Sequence, residues 1–202
     1  MSVEKNSAVE LTPPERLGLA HCRPDLRLPM QWLLEFDRRL SQAVLARAEP
    51  IMAQMRLAWW REQLARPAPQ RAKGEPMLQS LAGLDVMTPS LAELASQLVD
   101  QWEARAVDVI DGSSSPMPTP VVFSGYCDWL GASNSDRLHA ARLAQIWLGE
   151  SDDWPSSRTP KRLRPLSILA LSALIDRQRK KAGSASRIVL PFRLLWHSLS
   201  GS

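Results

Sequence analysis

Cysteine and histidine are scarce in this 202-residue chain: two Cys, Cys22 and Cys127, and three His, His21, His139 and His197. That scarcity excludes a disulfide scaffold and a multi-cysteine zinc site, and the scattered histidines argue against a histidine-rich metal centre. No apolar run approaches the roughly 18 residues that a bilayer-spanning helix needs. The opening MSVEKNSAVELTPPERLG has no apolar stretch of the secretory kind, so the expectation is a cytoplasmic protein. Strand signals are missing as well. β-Branched residues are sparse, no apolar/polar alternation is sustained, and Ile188-Val189-Leu190 is the one short exception before Pro191. Gly-x-Ser-x-Gly, Gly-x-Gly-x-x-Gly and Walker patterns are absent, which removes the hydrolase elbow, the dinucleotide fold and the phosphate loop.

What is present is a chain 45% hydrophobic and 23% charged, enough for one domain with a real core. Tryptophan is over-represented, with eight Trp against three Phe and one Tyr, and the basic residues are mostly Arg. The net charge of +4 hides a strong asymmetry: residues 155–202 carry +9 and residues 1–154 carry −5. A basic face of this kind suits phosphates, anionic lipid or nucleic acid. Nucleic acid is the weakest of these, because Arg162, Arg164 and Arg187 would have to line one groove and the tail lacks interleaved aromatics.

Prolines stand between segments, where a missing donor does no harm, and the apolar spacing between them is helical. Helices are expected over 30–47, 51–65, 121–131, 136–149, 160–181 and 188–199. A further one opens at Ser90-Leu91-Ala92-Glu93, whose spacing is that of a capping box. The expected fold is all-α with about six or seven helices: a flexible N-terminal segment over 1–20 and a single domain over 21–202. Disorder is expected in 1–12 and in the loops 66–77 and 111–120. His21 beside Cys22 reads as incidental, Cys127 as a small core residue and His197 as packing.

The densest feature is Arg56-Leu57-Ala58-Trp59-Trp60-Arg61-Glu62-Gln63-Leu64, preceded by Glu49-Pro50. Adjacent Trp residues on a helix point about 100° apart, so one can enter the core while the other borders a groove. This stretch resembles a segment of squalene/phytoene synthase-family proteins, above all their shorter bacterial and mitochondrial branch. Leu34-Glu35-Phe36-Asp37-Arg38-Arg39-Leu40, Leu98-Val99-Asp100-Gln101-Trp102-Glu103-Ala104-Arg105, Arg164 to Ala170 and Leu194 to Gly201 are similar to further segments of that branch. The resemblance implies a truncated isoprenoid-synthase-like bundle. In active members two aspartate-rich helices hold Mg²⁺, which neutralises prenyl diphosphates during head-to-head condensation. The mitochondrial branch is associated with assembly of respiratory complex I.

Both aspartate-rich motifs are missing where that family would have them. Near 33–47 stand Glu35 and Asp37, on different helix faces, followed by Arg38-Arg39, which repel a cation. Later carboxylates (Asp108, Asp111, Asp128, Asp136, Glu150, Asp152, Asp153) make no facing i, i+4 pair, and the chain is short between 110 and 165. The expectation is therefore a divergent, non-catalytic protein without cofactor, a binding or assembly factor for a protein partner or an anionic membrane surface. Its expected groove is lined by Asp37, Arg56, Trp60, Asp100, Glu103 and Asp128. Expected contacts to anionic lipid or phosphate are Arg162, Arg164, Arg179, Lys180 and Lys181. The alternatives are an active prenyltransferase with an irregular Mg²⁺ site and a basic helical binding module.

Overall fold

Helix α2 (Arg27–Leu45) is the hub of the molecule because its apolar face is broad: Met30, Trp32, Leu33, Leu34, Phe36, Leu40 and Val44 are all buried, opposite a polar side of Gln31, Glu35, Arg38 and Gln42. A face that broad needs more than one neighbour to cover it. The computed structural model describes residues 11–45, 50–88, 90–111 and 120–182, and among these it is all-α, with eight helices and no strand. The others are α1 (Pro13–Ala20), α3 (Pro50–Ala65), α4 (Pro76–Met87), α5 (Leu91–Asp111), α6 (Val121–Trp129), α7 (Asn134–Leu148) and α8 (Arg164–Ala182). Helices α1, α3, α4, α5 and α6 all pack on α2, while α7 and α8 pair with each other and α8 is closed off by α1.

Prolines start these helices, as their missing donor allows: Pro13, Pro50 and Pro76 are first residues, and Pro29 and Pro165 lie in first turns. Helix α7 shows full end chemistry. Ser133 and Asp136 form a reciprocal capping box, and Gly149 closes the helix at φ 87°, a left-handed geometry that a side chain would strain. Across the core, the Trp32 indole donates to the Met77 carbonyl at 3.0 Å and to Ser80 Oγ at 3.1 Å, pinning α4 to α2.

Several expectations change. Residues 13–20 are not a flexible segment but helix α1, which buries Leu19 and lies so close to α8 that a Cβ on Gly18 would sit 3.3 Å from the Pro165 carbonyl oxygen. The loop over 66–77 is held: the buried Gln63 accepts from the Ala72 amide at 2.9 Å, and Arg71 donates to the Arg66 carbonyl at 3.1 Å. Its last residues open α4, a helix that the proline-rich context concealed. Ser90 does not cap α5; it sits at φ 76°, and Asp85 accepts from the Ala92 amide at 3.0 Å in its place. Expectations for 1–10, 112–119 and the helix over 188–199 lie outside the described residues.

Two glycines test this packing in opposite directions. A Cβ on Gly125 would approach Leu94 Cδ1 to 2.7 Å between α6 and α5, whereas one on Gly83 meets nothing within 4 Å. Gly125→Ala is expected to lower stability by about 1–3 kcal/mol. Gly83→Ala is expected to raise it by about 0.5–1 kcal/mol, both read from urea midpoints.

Candidate functional site

The six residues expected to share one groove are distributed over three hollows and a surface clamp. The first hollow, about 350 Å³, lies between α2, α5 and α7 and is lined by Asp37, Ser41, Leu45, Gln101, Trp102, Arg105, Pro120, Trp147 and Leu148. Its polar centre is Asp37, half-buried on the inner side of α2, whose Oδ1 accepts from the Trp102 indole at 2.9 Å. Burial pushes the Asp37 carboxyl up to about 6; the Trp102 hydrogen bond opposes that rise, and the nearby charge of Glu15 adds to it. Glu15 itself is ion-paired with Arg38, so the arginine at this point of α2 serves as a tie to α1.

The second hollow, about 500 Å³, lies between α2 and α3 and holds Arg56 and Trp60 together with Arg39, Gln42, Ala43, Met52, Met55, Trp59 and Glu75. Trp60 is buried edge-on against Phe36, with ring centroids 4.9 Å apart, and the Arg39 guanidinium stands 5.4 Å above its ring. Arg39 also grips the buried Glu75 through two hydrogen bonds of 2.8 and 2.9 Å.

Asp100 and Glu103 line neither hollow. Both are ion-paired with Arg61 of α3, the Asp100 contact at 2.6 Å, which clamps α5 to α3 at an exposed site. Exposed pairs of this kind contribute about 0–1 kcal/mol. Asp128 lines a third hollow of about 510 Å³ beside Arg23, Asp25 and Glu93, and is ion-paired with Arg137. The expectation of one common groove is thus corrected. The physical reason is that Asp37, the Asp100/Glu103 pair and Asp128 emerge from three different helix flanks, and each is taken by a donor brought in by the fold.

This donor set does not fit the Mg²⁺ site that the resemblance implies. Asp37 and Asp128 lie in separate hollows, and among the described residues no group of three or more His, Cys, Asp or Glu stands close enough to hold a metal ion. The setting of Cys22 disfavours a reactive thiolate. Buried, with its Sγ 3.7 Å from the Gly18 carbonyl, the thiol is pushed up to about 11 by desolvation. Cys127 is buried in the core, as expected.

The expected basic contacts are partly spoken for. Arg162 pairs with Asp136 at the start of α7, and Lys181 joins Arg177 on Asp152, at 3.0 and 3.1 Å. Arg164 is half-buried at the start of α8, while Lys180 is exposed near its end. Arg39, Arg61 and Arg105 were missed by sequence reasoning, since their roles depend on partners or walls supplied by other helices. No helix among the described residues is long and apolar enough to cross a membrane. No protein-family model, curated protein or solved structure matches the chain.

Asp37 imposes a pH dependence whose sign follows from its raised value. The unfolded chain releases this proton near pH 4, whereas the folded chain keeps it until about 6. Stability contributed here is therefore present below about pH 4 and is lost as pH rises through about 6, a span of up to about 3 kcal/mol. Asp37→Asn should flatten the urea midpoint between those limits. Trp102→Phe should move the Asp37 carboxyl still higher in a ¹³C NMR titration, because the charged form loses its donor.

Proposed function

We propose that this chain is a divergent, non-catalytic relative of the squalene/phytoene synthases, built on a shortened isoprenoid-synthase-like bundle and acting as a binding or assembly factor. The observation that carries this reading is the fate of its carboxylates. Asp37 is occupied by an indole, Asp100 and Glu103 by one arginine, and Asp128 by another, so the acids serve packing and docking between helices. Diphosphate departure demands several hard oxygen ligands converging on Mg²⁺, and these acids do not converge. The three hollows and the exposed apolar side of α3 support binding instead. Peripheral contact with an anionic membrane is a second part of the proposal, supported by the exposed Lys180 and the basic last turn of α8.

Purified protein incubated with farnesyl or geranylgeranyl diphosphate and Mg²⁺ is expected to give no condensation product. Affinity isolation from its native cell is expected to recover a partner in stoichiometric amount. Turnover above the uncatalysed rate, lost in Asp37→Asn, would overturn the reading.

A further inference from the structure

Helix α3 is apolar on two sides. One stripe, Ala53, Leu57, Trp60 and Leu64, is buried against its neighbours. The other, Ile51, Met52, Met55 and Trp59, faces outward; Ile51 is 66% exposed and Met55 61%. Single apolar residues on a surface are ordinary, but a continuous stripe on one helix marks an interaction site. This stripe borders the hollow between α2 and α3, so the apolar surface is concave and not a mere ridge.

Its floor is stiff. The Trp59 ring stands edge-on to Trp60 at 4.9 Å, and Trp60 is in turn fixed on Phe36. Its rim is adaptable, because unbranched methionine side chains reshape around different apolar surfaces. The charges then select an occupant. Arg39 and Glu75 neutralise each other, while Arg56 lines the hollow without an ion pair among the described residues. An apolar groove bordered by the uncompensated Arg56 is complementary to an amphipathic helix that carries a carboxylate beside its apolar stripe. A bilayer is a poorer match, since among the described lining residues Arg56 alone is a cation without an ion pair, which gives little purchase on anionic headgroups. A second copy is poorer too: two-fold pairing centred on Met55 sets one Arg56 against the other.

We propose that the α2–α3 groove docks an acidic amphipathic helix of a partner protein. The proposal rests on the binding-factor reading above and narrows the partner it calls for.

The test uses the full chain and two fluorescein-labelled synthetic helices with Leu at i, i+3, i+7 and i+10, one with Glu between the leucines and its twin with Lys. By anisotropy the Glu helix should bind at least about tenfold more tightly than the Lys twin, and Arg56→Glu should reverse that order. The double variant Met52→Gln/Met55→Gln should weaken the Glu helix by about tenfold or more, with an unchanged circular dichroism spectrum. No binding, equal binding of both helices, or an affinity indifferent to these substitutions would overturn the proposal. So would displacement of the Glu helix by phosphatidylglycerol vesicles, or self-association that depends on Met55. The condensation assay reads none of these outcomes, so failure here removes the groove's occupant and leaves the non-catalytic reading standing.

Discussion

The aromatic joint on α2 is the contact on which the remaining architecture depends. Phe36 meets Trp32 of its own helix and Trp60 of α3, each with centroids 4.9 Å apart. Trp32 reaches on to α4 through its indole hydrogen bonds, and Trp60 supports both Trp59 and the Arg39 guanidinium. Burial of each such ring contributes about 1.5–3 kcal/mol, and the aromatic pairings add about 0.5–1.5 kcal/mol beyond area. Loosening this joint would free α3 and α4 from α2 together. It would also dissolve the groove floor, so stability and the proposed binding role rest on the same side chains.

Arginine is the second organising element, and it works against the chemistry that the resemblance implies. Arg38 ties α2 to α1, Arg39 ties α2 to Glu75 at the start of α4, Arg61 ties α3 to α5, and Arg137 ties α7 to Asp128 of α6. Each guanidinium is always charged and offers several donors in one plane, which suits it to cross-linking carboxylates from neighbouring helices. A carboxylate held this way is unavailable as one of several ligands around a cation. Asp37 escapes arginine only to accept from an indole in a half-buried setting, where desolvation favours its protonated form.

Helix α3 illustrates how far periodicity carries. The sequence sets Ile51, Met55, Ala58, Trp59 and Leu64 at about helical spacing, and adjacent Trp residues announce that one ring turns inward and one outward. The direction of burial is a tertiary outcome: α2 and α5 cover Leu57 and Trp60 and leave Met55 in solvent. The same limit explains the missed helices. Over 13–20 and 76–87 the proline-rich flanks read as loop, yet proline at a helix start costs no hydrogen bond, and packing against α8 and α2 supplies the rest. Ser90 shows the converse. Its spacing to Glu93 has the form of a cap, but a carboxylate from the preceding helix, Asp85, takes the amide at the start of α5.

The amino-acid sequence alone determined the helical class, the placement of most helices between prolines, the burial of Cys127 and the absence of regularly spaced aspartates. These are local properties, set by backbone chemistry and by spacing of about 3.6 residues per turn. Only the tertiary structure decided which carboxylate meets which arginine, because those pairs join residues as far apart as Arg61 and Asp100. It alone separated Asp37, Arg56 and Asp128 into three hollows, since the side of the bundle on which a residue emerges depends on how the helices cross.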